Sequence, residues 1–175
     1  MTLYGAVDPG KSGAIVIIDE HRKPFLVWAA DDKGSDIRPP GYLLGDFDAR
    51  SFVREIESVI DGHSFGAFVV ETPFVLASGG VTSALTIGKN YGAIIACLSV
   101  VCIAWQEVTP ASWSAKMIGS PPKGGWPPKA KKQAAIDLCR RELPALDLVL
   151  PGRRVPHDGI ADAGALALYG MRGSR

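Results

Sequence analysis

Apolar residues in the first part of the chain fall into short runs rich in β-branched side chains, and polar or glycine-containing segments separate these runs. Runs of this kind predict strands. We assign strands to residues 3–8, 14–19 and 25–29. Because the connecting segments are short, the sequence predicts a three-strand antiparallel meander.

Later positions follow a different pattern, in which apolar side chains recur every three or four residues. That spacing predicts helices, whereas unbroken apolar runs predict buried strands. In chain order we expect a loop (30–47), a helix capped by Asp48, a strand (66–71), a helix (82–98), a strand (100–105), a helix (110–118), a mobile Gly/Pro-rich segment (119–128) and two helices (129–143 and 156–169). The predicted class is α/β, with a mixed central sheet in which parallel strands extend the meander and helices flank it.

Composition narrows the class of protein. With 175 residues, of which 47% are hydrophobic, the chain is long enough to bury a core, and its length predicts one domain. No apolar run approaches the roughly 18 residues that a membrane span needs, so we expect no membrane segment. The three cysteines form no C-x-x-C pair, and their odd number leaves no complete disulfide framework, which favours a cytoplasmic protein.

Charge is distributed unevenly, although the net charge is only +1. Residues 1–105 carry 8 Lys and Arg against 12 Asp and Glu, a net −4, whereas residues 106–175 carry 11 against 6, a net +5. A basic half indicates a polyanionic partner. Ordinary variation in solvated surface charge explains the same asymmetry, so this feature alone leaves both interpretations open.

Residues 5–12, GAVDPGKS, match the phosphate-binding pattern G-x-x-x-x-G-K-[ST] of nucleotide-binding ATPases. That motif needs a strand before its first glycine and a helix after its Lys-Ser pair, because the helix N-terminus holds the phosphate. Here Gly5 lies inside a predicted strand, and the β-branched run AIVIID follows soon after Ser12. The pattern D-x-G-x-x-G at Asp8 is also similar to the first phosphate loop of actin, Hsp70 and sugar kinases, but those proteins enclose ATP between two large domains. We disfavour both nucleotide-binding interpretations.

Four carboxylates stand at positions suited to metal-dependent hydrolysis of a phosphodiester. Asp8 ends the first predicted strand before a Pro-Gly turn, and Glu71 ends a central buried strand. Asp158 and Asp162 are four residues apart and so share one face of the last helix. Two Mg²⁺ ions that activate water and neutralise phosphate charge need such oxygen ligands from distant positions. The sequence therefore predicts a nuclease site formed by these four residues.

Most of these residues also have a structural explanation. Asp8 is typical of a turn, Glu71 of a solvated strand end, and Asp158 of a helix N-terminus, where the macrodipole favours negative charge. Asp162 lacks such an explanation, and repulsion between like charges four residues apart favours a cation between them. His157 is a candidate further ligand or proton carrier, although a histidine at a helix start is more typical of a cap or a surface residue.

Five ordered segments resemble the RuvC-type Holliday-junction resolvases of the ribonuclease H-like superfamily, and the similarity spans nearly the whole chain. These segments are VDPGKSGA (7–14), VVETPF (69–74), SALTIGKNYG (83–92), VTPASW (108–113) and HDGIADAGALAL (157–168). The chain resembles a phage or otherwise divergent member, because its last acidic pair is spaced four residues apart rather than three and its segment GSPPKGGWPP is long. The first departure leaves open which Asp is the more important ligand, and the second leaves open the junction selectivity.

The resemblance implies a ribonuclease H-like fold and a homodimeric endonuclease that cuts Holliday junctions or branched DNA in a bacterial cell or phage-infected host. The four carboxylates would bind Mg²⁺, with Mn²⁺ as a substitute, and the helix over 82–98 would form the dimer. Phe74 would stack on bases at the junction centre, although core packing explains it equally well. The residues implied to contact DNA are Lys11, Phe74, Lys89, Lys116, Lys129, Lys131 and Lys132.

Two other functions remain open. One is a ribonuclease H-like nuclease that acts on other branched DNA or on RNA/DNA hybrids. The other is a non-catalytic module that binds junctions, which the presence of all four carboxylates disfavours.

Overall fold

The computed structural model describes residues 1–10, 12–29, 42–43, 46–47, 49–73, 80–101 and 103–173. Short strands and longer helices follow one another along these residues. They are β1 (Thr2–Asp8), β2 (Ala14–Asp19), β3 (Pro24–Ala29), β4 (Tyr42–Leu43), β5 (Asp46–Phe47), α1 (Ala49–Ile60), β6 (Ser64–Glu71), α2 (Val81–Val100), β7 (Gln106–Val108), α3 (Pro110–Met117), α4 (Pro128–Glu142) and α5 (Asp158–Gly173).

Five of the strands form one mixed sheet in the order β3-β2-β1-β6-β7. β1, β2 and β3 pair antiparallel, as predicted, whereas β6 pairs parallel to β1 and β7 pairs parallel to β6. The carboxyl ends of β1 and β6 therefore lie side by side at one edge of the sheet. The predicted α/β class, with a mixed sheet flanked by helices, is confirmed.

Both faces of the sheet are covered, and β2 shows this most clearly because all six of its residues are buried. Val16 and Ile18 enter the core that lies between the sheet and α3, α4 and α5. Ile15 and Ile17 enter the core on the other face, which α1 and α2 cover. Alternation of side chains along a strand explains why a strand covered on both faces has a continuous apolar sequence.

The strand predicted over residues 100–105 is wrong. α2 continues to Val100, and the amides of Val101 and Ile103 donate to the carbonyls of Cys97 (3.0 Å) and Leu98 (3.1 Å), so the helix end occupies this segment. Ile103 is buried in the core beside α2, which explains the apolar sequence without any sheet pairing. β7 begins only at Gln106, opposite Val69.

The structure also tests two predictions made for the first half of the chain. The loop predicted over residues 30–47 contains the antiparallel two-residue strands β4 and β5, so it is not entirely irregular. Ser12 is followed by β2 rather than by a helix, which contradicts the P-loop geometry.

Among the described residues, no helix is long and apolar enough to cross a membrane. The mobility of residues 119–128 stays a prediction.

Candidate active site

Asp8 and Glu71 end the two neighbouring parallel strands β1 and β6. Val7 pairs with Val70, so the two carboxylates occupy the next position along each strand. Asp8 also begins the turn to β2, and its Oδ1 accepts the amide of Gly10 at 2.9 Å. Both acidic residues are half-buried at this end of the sheet. Asp8 and Glu71 therefore lie at strand ends in the structure, as the sequence predicted.

α5 brings the second pair of carboxylates against the β1–β2 turn. A Cβ atom on Gly159 would lie 1.9 Å from the carbonyl oxygen of Ser12, so only glycine lets the helix start this close to the turn. Asp158 and Asp162 flank this contact within the first two turns of α5, on one helix face. Gly159 thus places both carboxylates near the residue that ends β1.

The four carboxylates interact through their charges. The pKa of Asp8 is raised to about 8, mainly by burial and also by the negative charges of Glu71, Asp162 and Asp158, against a lowering by the Gly10 amide. The pKa of Asp162 is likewise raised to about 7, mainly by burial and then by the charge of Glu71, while the charges of Lys131 and Lys132 oppose the rise. Mutual repulsion of this kind indicates a cluster in which negative charge has accumulated at one place.

Glu71 has an indole as its partner. Its Oε1 accepts a hydrogen bond of 2.6 Å from Nε1 of Trp113, which lies on α3 and is fully buried. The ammonium group of Lys131 lies 5.0 Å from the centroid of the Trp113 ring. Burial raises the pKa of Glu71, while the Trp113 hydrogen bond and the charge of Lys131 oppose that rise.

Asp158 is held by Lys132 on α4, whose Nζ donates to Oδ2 of the carboxylate. Burial raises the pKa of Asp158, but the hydrogen bond and the charge of Lys132 outweigh it, so the pKa is lowered overall. Asp158 and Asp162 are therefore not equivalent, because Asp158 is paired with an ammonium while Asp162 is strongly desolvated beside other carboxylates.

Solved structures resemble this arrangement of strands and helices. RuvC from Thermus thermophilus, in complex with a Holliday junction substrate, aligns with a TM-score of 0.62 over 99% of this chain and 98% of that chain, at 19% identity. A second T. thermophilus RuvC structure aligns with a TM-score of 0.55 over 98% and 97%, also at 19% identity. The chain has the RuvC fold. No protein-family model matches the sequence, and no curated protein is significantly similar to it.

In this RuvC fold, the donor chemistry of the cluster fits a hard divalent cation, because all four candidate ligands are carboxylate oxygens that repel one another. Within the described part of the chain, no three His, Cys, Asp or Glu side chains stand close enough together to hold a metal ion as they are oriented here. Direct ligation by all four residues would therefore require the carboxylates to come closer together, and Asp158 would have to exchange Lys132 for the cation.

His157 caps α5, as its position suggested. Its Nδ1 accepts the amide of Ile160 at 3.3 Å, and its backbone amide donates to the carbonyl of Leu148 at 2.7 Å. A role for His157 as a ligand or proton carrier stays a prediction.

The lysines implied to contact DNA lie in different places. Lys131 and Lys132 reach the carboxylate cluster, as described above. Lys116 lies over the ring of Tyr169 at 4.9 Å, and Tyr169 is about 10 Å farther along α5 than Asp162. Lys129 and Lys89 are exposed on α4 and α2. Lys11 and Phe74 lie outside the described residues.

Two site residues were not predicted from the sequence. Trp113 ends the matched segment VTPASW, yet nothing in the spacing of that segment predicts that its indole bonds to Glu71. Gly159 lies inside the matched segment HDGIADAG, where a glycine in the first turn of a helix is a signal for close packing. Of the two, only the glycine carried a signal strong enough to notice.

Proposed function

We propose that this protein is a structure-selective endonuclease that resolves Holliday junctions or related branched DNA by hydrolysing phosphodiester bonds in pairs. One observation carries the proposal: three elements of a RuvC fold bring four carboxylates to the edge where β1 and β6 end. The mutual repulsion of these groups costs stability, and such a cost is typical of functional sites.

Asp8, Glu71, Asp158 and Asp162 are the residues that would hold Mg²⁺, with Mn²⁺ as a substitute. Bound at the site, the divalent cations supply water activation and neutralisation of charge on the phosphate. The chain itself keeps the carboxylates in place: the β1–β2 turn fixes Asp8 through Gly10, and the N-terminus of α5 packs against the same turn.

Basic residues from α3 and α4 would neutralise phosphates beside the cluster. Lys131 and Lys132 already extend toward the carboxylates, and Lys129 is exposed one turn earlier on α4. Contacts of this type position a nucleic acid without reading its sequence. The T. thermophilus neighbour is a complex with a Holliday junction substrate, which supports branched DNA as the substrate class here.

We further propose that two copies of the chain associate through α2. Val81 and Leu85 are 86% and 63% exposed, and they share a helix face with Gly88 and Gly92. A Cβ atom on either glycine would meet nothing within 4 Å, so this face is open. An exposed apolar face on a helix that covers the sheet is typical of a subunit interface. A homodimer would place two active sites on one junction.

A substrate panel tests the proposal. The purified protein is incubated with a synthetic four-way junction, a flap, a linear duplex and an RNA/DNA hybrid, each with Mg²⁺ and with a chelator. We expect paired, symmetric cuts in the junction with Mg²⁺ and none with the chelator.

Preferential cutting of the flap or of the hybrid would instead support the broader ribonuclease H-like activity. Tight binding to the junction without any cleavage, under all metal conditions, would support a non-catalytic binding module and contradict the proposal.

A further inference from the structure

Trp113 is the largest fully buried side chain of the protein's described core, yet it carries a polar group that must be satisfied. α3 begins at the preceding turn, where the hydroxyl of Thr109 caps the helix by accepting the Ser112 amide. This cap and the surrounding core fix the ring, and its N–H meets Oε1 of Glu71 at 2.6 Å. A rigid donor therefore contacts one of the four candidate ligands.

The bond is of a strong kind, because its acceptor is a carboxylate and its donor cannot move away. Charge-assisted bonds of this type are shorter and stronger than neutral ones. Glu71 has several rotatable bonds and lies at a strand end. The indole consequently selects one orientation of the carboxylate and engages its Oε1.

Lys131 acts on the other part of the same ring. Its ammonium group lies 5.0 Å from the ring centroid, within the range of a cation–π interaction. A cation over the face withdraws electron density from the indole, which makes its N–H a better donor. Trp113 thus links a basic residue of α4 to an acidic residue of β6.

We propose that Trp113 is a positioning residue that orients Glu71 for a divalent cation, and that Lys131 strengthens this role from the ring face. The inference rests on the proposed function, since it assigns a purpose to Glu71 as a ligand. Mutation of groups that orient metal ligands in this way typically lowers metal affinity or activity by about 10- to 100-fold.

The variant Trp113→Phe removes the N–H donor and keeps an aromatic ring in the core. We expect its Mg²⁺ affinity, measured by calorimetry, to fall about 10- to 100-fold. Junction binding in the absence of metal should be unchanged, because Trp113 is buried and does not contact solvent. With Mg²⁺, kcat should fall while KM for the junction stays the same.

Trp28→Phe is the matched control. Trp28 is buried in the core on the other face of the sheet, where its ring meets Phe52 edge-on at 6.2 Å. The two variants lose a similar packing area, but Trp113→Phe also loses the hydrogen bond to Glu71, so thermal unfolding should show a somewhat larger destabilisation of Trp113→Phe. Only Trp113→Phe should weaken Mg²⁺ binding.

A measurement on the unaltered protein avoids any folding defect of the variant. In a ¹⁵N–¹H spectrum, the indole N–H of Trp113 is the resonance that Trp113→Phe lacks. Titration with Mg²⁺ should shift this resonance with the same midpoint as the calorimetric binding, and it should shift more than those of Trp28, Trp105 and Trp126.

The inference would be overturned if folded Trp113→Phe bound Mg²⁺ with unchanged affinity, or if saturating Mg²⁺ did not shift the Trp113 indole resonance. Either result would leave the proposed nuclease function intact. Absence of Mg²⁺ binding and of DNA cleavage in the unaltered protein would overturn both. The two failures are therefore distinguishable.

Discussion

The helices on the two faces of the central sheet differ in what they leave exposed. On one face, α5 crosses β1, β2 and β6, and α4 packs along α5, so apolar side chains are enclosed and charged ones gather at one end. On the other face, α2 keeps part of its own apolar surface outside, with Leu85 63% exposed. Under the proposed function, these similar layers of helix on sheet have different roles, one holding the active site and the other forming the subunit interface.

The two faces differ in how precisely their side chains must be positioned. A cluster of like charges needs its members fixed to within fractions of an ångström, and Gly159 and Trp113 provide such close contacts on the α5 face. A surface that binds another copy needs only an exposed apolar patch. The face that holds the site should consequently tolerate small changes less well than the α2 face.

Among substitutions outside the candidate ligands, the largest effect is expected from Gly159→Ala, which breaks the close contact on the α5 face. The added Cβ would overlap the Ser12 carbonyl oxygen, a backbone atom that cannot rotate away, so α5 must move relative to Asp8. A shift of about 1 Å costs roughly 100-fold in activity. We expect junction cleavage with Mg²⁺ to fall by at least that factor.

Gly173→Ala is the control for this change. Gly173 ends the same helix, and a Cβ there would meet nothing within 4 Å. Cleavage and melting temperature should stay close to those of the unaltered protein. If Gly159→Ala retains full cleavage, the contact between α5 and the β1–β2 turn does not position the site.

A smaller effect, on assembly, is expected from Leu85→Glu on the open face of α2. A charge buried at an interface without a partner weakens association by at least about 2 kcal/mol, or roughly 30-fold. Sedimentation should show monomers, and junctions should be nicked on single strands rather than cut in pairs. Ser58→Glu adds the same charge to an exposed position of α1 and should leave the dimer intact. A Leu85→Glu protein that remains dimeric contradicts the assigned interface.

A further effect, on stability, is expected from Asp162→Asn without metal. The pKa of Asp162 is raised from 3.8 to about 7, so the folded state holds this proton more tightly than the unfolded state does. The unaltered protein therefore loses stability as pH rises from about 4 through about 7. At pH 8, Asp162→Asn should melt at a higher temperature than the unaltered protein, by about 2–4 °C for each kcal/mol of destabilisation that is removed. Near pH 4, the two proteins should melt at the same temperature.

Thermal unfolding at both pH values in a chelator measures this difference. Added Mg²⁺ should raise the melting temperature of the unaltered protein at pH 8 more than that of Asp162→Asn. If Asp162→Asn is less stable than the unaltered protein at pH 8, the negative charge of Asp162 does not destabilise the fold.

The smallest effect is expected from Lys129→Ala, which removes one exposed charge near the site. Each phosphate contact contributes about 0.9 to the slope of log affinity against log salt concentration. The slope for junction binding should fall by about that amount, without a change in cleavage chemistry. Arg140→Ala, about 16 Å farther along α4, should leave the slope unchanged. An unchanged slope in Lys129→Ala would remove this residue from the DNA-binding surface.

The positions of the carboxylates could be predicted because they follow from periodicity. Asp8 and Glu71 end apolar runs, and neighbouring parallel strands place such ends together. Asp158 and Asp162 share a face because four residues make about one helical turn. These inferences need only the local sequence pattern and the fold class. The structure confirms the fold class.

The contacts that hold the carboxylates could not be predicted. Whether the Trp113 indole meets Glu71 depends on how α3 is oriented and on two rotamers, none of which leaves a periodic signal. The wrong strand over residues 100–105 has a similar origin. Ile103 is apolar because it fills the core beside α2, and pattern alone does not distinguish that burial from sheet pairing.

Asp8→Asn tests the central claim most directly, because Asp8 joins the turn, the parallel strands and the charge cluster. Asparagine keeps the side-chain oxygen that accepts the Gly10 amide but loses the negative charge. Cleavage of a four-way junction in Mg²⁺ and binding of the same junction in chelator are measured together. We predict that cleavage is abolished while binding affinity is preserved. Normal Mg²⁺-dependent cleavage by Asp8→Asn would contradict the account.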